Sequence, residues 1–439
     1  MGYPALNAER ARQRATDEGV PIAKSARRPS VIGDADVTRS HSNTSPASTS
    51  DGKNTAKGYG VTLSQSVFRG FRTINSIREA EANVYAGRAD LLTIEQNTLL
   101  SAVTAYMNVV RDLSIVRLRQ NNVRVLAQQE RATNDRFRVG EVTKTDQAQA
   151  RARRSRAVSD LNLARSNLKT SQAEFERIIG HRPRNVRQPP LPRSSLPRGS
   201  NSALEIAAKT NPVLQAAMFR RVAAYRIIKR IKGELLPTVD FTASYDRDYD
   251  PSRTISDTEN AAFAGRLTIP FYQSGDVAAR VRQAKQSFDQ SERLVDDARV
   301  RVRADVISAW GVLQAERAQL LSDREQVRAN RTALNGVKEE EKVGQRTVLD
   351  VLDAEQELLD AQVDLVSTKR DLVVAAYSVL QTVGRLTAEH LGLRVTLYDP
   401  EEHYRRVKGK WFGLGKHRAL DDADPLGHAK GHSTRHSYK

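Results

Sequence analysis

The 439-residue chain contains no cysteine. Within these residues that excludes disulfides, thiolate metal sites, a cysteine nucleophile and lipid attachment through sulfur, and it leaves the compartment open. Aromatic residues are scarce at 5%, and all hydrophobic residues together reach only 39%. That is thin for several globular cores. It suits long helices with narrow seams filled by alanine and valine. No apolar run reaches the roughly 20 residues of a membrane-crossing helix. The start, MGYPALNAERARQRATDEGV, lacks the apolar centre of a secretory signal. Walker, GxSxG and HExxH patterns are missing, so no enzyme and no cofactor is expected. Acids are outnumbered, 52 against 70 Lys plus Arg, for a net charge of +18. The basic residues are interspersed with acids, and no finger, RRM signature or basic zipper accompanies them. The reading is a solvated basic surface with no nucleic-acid partner.

What is present is a repeat. Leu63-Ser-Gln-Ser-Val-Phe68 matches Leu267-Thr-Ile-Pro-Phe-Tyr272 at an offset of 204, and the same offset relates Val139-Gly140 to Val343-Gly344 and Ile179-Gly180 to Val383-Gly384. Nearer the start of each half the offset is 208: Pro4 matches Pro212, and Arg28-Pro29 matches Leu236-Pro237. The change of four residues is expected in a loop between Val31 and Leu63.

Proline is missing from Pro46 to Pro183 and again from Pro270 to Pro400. Proline costs about 3 kcal/mol inside a helix, so such gaps permit very long ones. From Gly70 to the Val139-Gly140 turn, a helix would extend roughly 100 Å, and a return helix follows each Val-Gly turn. Val281, Ala284, Phe288, Ser291, Val295, Ala298 and Val302 alternate in steps of three and four, as do Leu358, Ala361, Leu365, Thr368, Leu372, Ala375 and Val379. This is coiled-coil spacing with small residues for close approach. Alone, it favours a soluble coiled-coil scaffold. Trp310 falls on the seam side as a packing residue.

Short alternating segments argue against a plain coiled coil. Tyr59–Phe68, Thr238–Tyr245, a third marked by Phe263, Leu267, Ile269 and Phe271, and a weaker fourth from Val31 to Thr38 each present one apolar and one polar face. Turn-rich loops, Arg39–Gly58 and Asp246–Asn260, join them into two hairpins. Strands of about ten residues with small polar inward residues are the outer-membrane barrel pattern. Four strands cannot close, and lipid does not tolerate open sheet edges, so closure needs several chains: two give eight strands, three give twelve.

At VGQRTVLDVLDAEQELLDA, supported by FRVGEVTKTDQAQAR and TIPFYQSG, the chain resembles the TolC family of outer-membrane efflux and secretion channels, over about residues 4 to 395. The resemblance implies a mainly α protein with a β-barrel part: a homotrimer with a 12-stranded barrel in outer-membrane lipid of a Gram-negative bacterium, on a helical periplasmic tunnel. It implies an exit duct serving a tripartite pump or type I secretion system. Its partners would be a periplasmic adaptor and an inner-membrane transporter of RND or ABC type. A periplasmic adaptor itself is disfavoured, because adaptors carry one helical hairpin and no barrel strands.

The resemblance also assigns residues. Val139, Gly140, Val343 and Gly344 become the tips where long helices reverse and adaptors dock. Asp350 and Asp353, three apart on one helix face, become stacked carboxylate rings under threefold symmetry, attracting cations. Arg346 faces Thr145 and Asp146 across neighbouring tip helices as a gate link. Where some relatives carry tyrosine, Glu341 stands instead, suited to another charge network. The expected organisation is a partial first helix over residues 1–28, hairpins over 29–70 and 237–273, helical hairpins over 71–182 and 274–388, a linker and opening helix over 183–236, and an equatorial segment with a polar tail over 389–439. By comparison with SALEIAAKT before Asn211-Pro212, about ten residues of the first repeat and a secretory signal are expected upstream of Met1. Pro21 predicts a kink. His403, His417, His428, His432 and His436 lack a tight pair on a defined element, and a disordered tail is expected there.

Overall fold

A computed structural model describes residues 4–43, 45, 52–192, 194–393, 395 and 397–415. The first half runs α1 (Pro4–Asp17), α2 (Gly19–Ser25), β1 (Ser30–Ser42), β2 (Gly52–Arg69), α3 (Arg72–Arg138) and α4 (Lys144–Ile179). The second runs α5 (Ser200–Thr210), α6 (Pro212–Lys232), β3 (Thr238–Ser252), β4 (Ile255–Thr268), α7 (Asp276–Lys342) and α8 (Val348–Thr382), followed by α9 (Pro400–Val407). With no proline to interrupt them, α3 and α7 each continue for 67 residues, about 100 Å. Pro21 sits in the first turn of α2, and the expected break falls just before it, at Glu18 between α1 and α2.

The four strands form one antiparallel sheet in the order β1-β2-β3-β4. The central β2–β3 pairing joins the two repeats. Register alternation separates the faces: Val31, Leu63, Ala243 and Phe263 align on one, while Asp34, Gly60, Asp246 and Asn260 align on the other. Val31, Leu63 and Phe263 are exposed, so the apolar face is bare in a single chain. The strands are longer than the ten residues expected, at 13, 18, 15 and 14. Much of what reads as loop, Arg39–Gly58 and Asp246–Asn260, is paired strand. Several of its turn-forming residues, among them Gly58, Asp246, Asp248 and Asn260, occupy the polar face of the sheet. The middle of the first connection, residues 44 and 46–51, lies outside the described residues, while the second shrinks to two residues between Ser252 and Ile255. Ile269 and Phe271 fall beyond β4, which ends at Thr268 ahead of Pro270.

Where sheet meets helices, Gly70 and Gly233 touch backbone to backbone. A Cβ on Gly70 would lie 2.0 Å from the Gly233 carbonyl oxygen, and one on Gly233 would lie 2.2 Å from that of Gly70. Gly70 also has φ +59°, which favours glycine.

The seams follow the heptads. Val295, Ala298, Val302 and Val306 of α7 pack on Ala203 and Ala207 of α5, and Leu313 packs on Leu372, Ala375, Ala376 and Val379 of α8. Trp310 lies against both groups. Fully burying a valine or leucine stabilises by about 1.5–3 kcal/mol, so a few such layers hold each long pair together. The proline-rich linker is fastened to α3 by Tyr106, whose hydroxyl donates to the Arg187 carbonyl (2.7 Å) and accepts from the Arg187 amide (3.0 Å). Beyond Glu401, where only a polar tail is expected, α9 continues to Val407, and His403 Nδ1 lies 3.2 Å from the buried Asp17 carboxylate of α1. His417, His428, His432 and His436 lie outside the described residues. One 18-residue window of α3, of mean hydropathy 1.3, is long and apolar enough by composition to cross a membrane. The window is shorter than the roughly 20-residue apolar run that the sequence lacks, and α3 packs along α4, α6 and α8 in the helical body.

Candidate functional site: the paired helix tips

Both long helices reverse by the same geometry. Gly140 and Gly344 each have φ +79°. The Glu141 amide donates to the Arg136 carbonyl (2.9 Å) and the Gln345 amide to the Glu340 carbonyl (2.9 Å), satisfying helix-terminal oxygens as glycine-ended helices do. Val139 and Val343 are 78% and 71% exposed, so each tip presents an uncovered apolar residue.

The return helices start from matching capping boxes. The Thr143 hydroxyl accepts from the Asp146 amide (3.2 Å), and the Asp146 carboxylate accepts from the Thr143 amide (2.8 Å). Thr347 and Asp350 repeat this with the same distances. Hydrogen bonds from Thr143, through its hydroxyl first and its amide second, hold the Asp146 carboxyl below its ordinary range. The Thr347 amide and hydroxyl, helped by the Arg346 charge, do the same for Asp350. Both carboxylates are therefore charged at neutral pH.

The sequence places Asp350 and Asp353 together, and the structure gives them different partners. Asp350 is committed to its cap, while Asp353 accepts from Arg153 of α4 at 2.5 Å. Arg346 donates to Glu340 within its own tip (2.9 Å). Among the described residues Arg346 is not joined to Thr145 or Asp146 in one chain; Thr145 is exposed on the first turn of α4. Glu341 meets Arg136 at the end of α3. Lys338 reaches the buried Glu355 at 2.8 Å.

Arg136 and Arg153 therefore tie the first helical hairpin to the second. Neither stands out in the sequence, because each partner is about two hundred positions away. Beneath these pairs, Leu126 and Ala157 of the first hairpin pack on Val348 and Leu352 of the second. Among the described residues no group of three His, Asp or Glu side chains converges as a metal site. The tips offer charge, exposed apolar points and two hairpins tied together by ion pairs.

A family model described as "Outer membrane efflux protein" matches residues 2–181 and 203–385. The chain belongs to this outer membrane efflux protein family. The two matched spans coincide with the two repeats and omit the linker between them. Outer membrane efflux protein BepC of Brucella suis biovar 1 (strain 1330) is 40% identical over 93% of this chain and 88% of that protein. Outer membrane protein TolC of Escherichia coli (strain K12) is 25% identical over 68% of this chain and 64% of that protein. The Campylobacter jejuni CmeC outer membrane channel has the same fold, with TM-score 0.78 at 17% identity, covering 92% of this chain and 86% of that one. The chain is thus an outer-membrane efflux or secretion channel of the TolC family and not an enzyme. The soluble-scaffold alternative falls with this membership.

Proposed function

We propose that three copies of the chain close a 12-stranded barrel in the outer membrane of a Gram-negative bacterium and continue it as a periplasmic helical tunnel. The duct passes cargo, chemically unchanged, from an inner-membrane transporter of RND or ABC type, and a periplasmic adaptor docks at the Val139-Gly140 and Val343-Gly344 tips. The observation that carries this reading is the sheet. It is four strands wide, bare and apolar on one face, polar on the other, and its β1 and β4 edges have no partner strand among the described residues. Lipid tolerates such a sheet only when closed, and twelve strands leave an open lumen where eight are filled by side chains. The test uses the native lack of cysteine. Cysteine pairs along the edges, Val31 or Ala35 with Ala261 or Gly265, are oxidised in membranes. A covalent ladder ending at three chains supports the reading; crosslinks that never exceed one chain overturn it.

At the tips, Asp350 serves as a ring of three carboxylates that favours cations, and Asp353 adds a second ring moderated by Arg153. Arg346 links to Thr145 and Asp146 of the neighbouring copy. Glu341, through Arg136, supplies a further tie within each copy. Opening separates the second hairpin from the first at the tip while their upper seams stay packed.

A further inference from the structure

We propose that each chain holds an anionic phospholipid in a cleft at the foot of the sheet, its acyl end under the lipid-facing strand face and its phosphate between Arg78, Lys229 and Lys232. The cleft has a volume of ≈ 750 Å³ and lies between the start of α3, the end of α6 and the start of α7. Its walls are apolar and open to the surroundings, with Phe71, Ile74, Leu235 and Leu236 all exposed. Its rim carries three cations.

Its position fits a lipid. Phe68 pairs with Val239 and so shares the apolar face of the sheet with Phe241 and Ala243. The Phe71 ring meets Phe68 edge-on at 5.2 Å, which puts the cleft wall directly below that face. The cleft also sits beneath the β2–β3 junction. In the proposed trimer the copies join through β1 and β4, the edge strands that flank the β2–β3 pair above the cleft.

The charge fits a phosphate. Neither Arg78 nor Lys232 has a carboxylate partner among the described residues, and Lys229 only faces the Tyr225 ring, at 4.8 Å. The acids beside them in sequence are already occupied: Glu79 by Arg230 (2.9 Å) and Glu234 by Arg280 (2.5 Å). Three uncompensated cations, with Arg78 two helical turns further from the sheet than the apolar Phe71 wall, are complementary to an anionic headgroup whose chains point back toward the sheet. Long Lys and Arg stems reach such a phosphate while their methylenes line the cleft.

The proposal rests on the sheet lying in lipid, so chain number and bound lipid are read in the same experiment. The full chain, purified in mild detergent, is titrated with phosphatidylglycerol, phosphatidylcholine or soluble glycerol phosphate and observed by native mass spectrometry. We expect one phosphatidylglycerol per chain, at least tenfold preferred over phosphatidylcholine, and no retained glycerol phosphate. The combined Arg78→Gln, Lys229→Gln, Lys232→Gln variant is expected to bind phosphatidylglycerol at least tenfold more weakly, with chain number and circular dichroism unchanged. Lys232→Gln alone, expected to weaken binding about threefold, serves if the triple variant misfolds. Equal retention of phosphatidylglycerol by wild type and variant overturns the lipid site, as does retention of glycerol phosphate as tight as that of the lipid. Both leave the channel reading intact; single-chain particles in every sample contradict the channel reading first.

Discussion

Replacing Arg136 with alanine severs the contact between the end of α3 and Glu341 at the end of α7, the tie nearest both tip turns. Arg136 is 33% exposed and Glu341 only 11%, so the pair lies between two regimes. Exposed pairs contribute about 0.2–1 kcal/mol. Removing one partner of a fully buried pair costs about 3–5 kcal/mol. About 1–2 kcal/mol per chain is therefore expected, because solvent still reaches the arginine. If opening parts the hairpins in three symmetric copies together, the closed state loses about 3–6 kcal/mol, and the open-to-closed ratio rises roughly 10²- to 10⁴-fold at about 1.4 kcal/mol per tenfold. Single-channel recording in planar bilayers reads that ratio directly. Glu341→Gln should produce a similar rise, and the double variant should add little, since both changes remove the same interaction. An unchanged open probability in Arg136→Ala, with helical signal and oligomer mass preserved, would refute the assignment of this pair to the gate.

Other outcomes follow from the same geometry. Thr347→Ala removes the acceptor that caps α8, so tip amides should exchange faster by hydrogen exchange, with a local loss of about 1 kcal/mol. Asp146 and Asp350 have folded-state carboxyls below the ordinary 3.8. Their contribution is thus fully present above about pH 4 and is lost as pH falls through the lowered values. Protection of the tip amides, taken relative to their intrinsic exchange rates at each pH, should be constant from pH 5 to 8 and fall only in more acidic buffer, and Asp146→Asn should abolish that acid step at the first tip. Gly233→Ala places a methyl 2.2 Å from a backbone oxygen, so the strand–helix junction must shift; membrane-inserted yield should fall sharply. Asp350→Asn should shift the reversal potential toward lower cation preference, and Asp353→Asn, whose carboxylate already shares Arg153, should shift it less.

The helical part of this fold was legible because its signals are local. A proline-free stretch and a three-four seam need no knowledge of the partner, and the expected seam positions Val295, Ala298, Val302, Leu372 and Val379 are all buried. The sheet was legible only where its outward residues are large. Asp34, Gly58, Gly60, Asp246 and Asp248 belong to strands solely because they pair across chain separations of up to about two hundred residues, and their side chains alone resemble turns. The tips divide in the same way. Gly140 and Gly344 announce a reversal, and Thr-x-x-Asp after each one is a readable cap. Asp350, read from the sequence as a pore charge, also begins its own helix through its carboxylate. Arg136, Arg153 and Lys338 could not be singled out among 70 basic residues, since only the packing of one hairpin on the other selects them.

The central claim is that this sheet exists to be shared between copies. Native mass spectrometry of the full chain extracted gently from membranes tests it most directly. Particles of three chains that retain strand signal are the predicted result; monomeric particles without sheet would contradict the account.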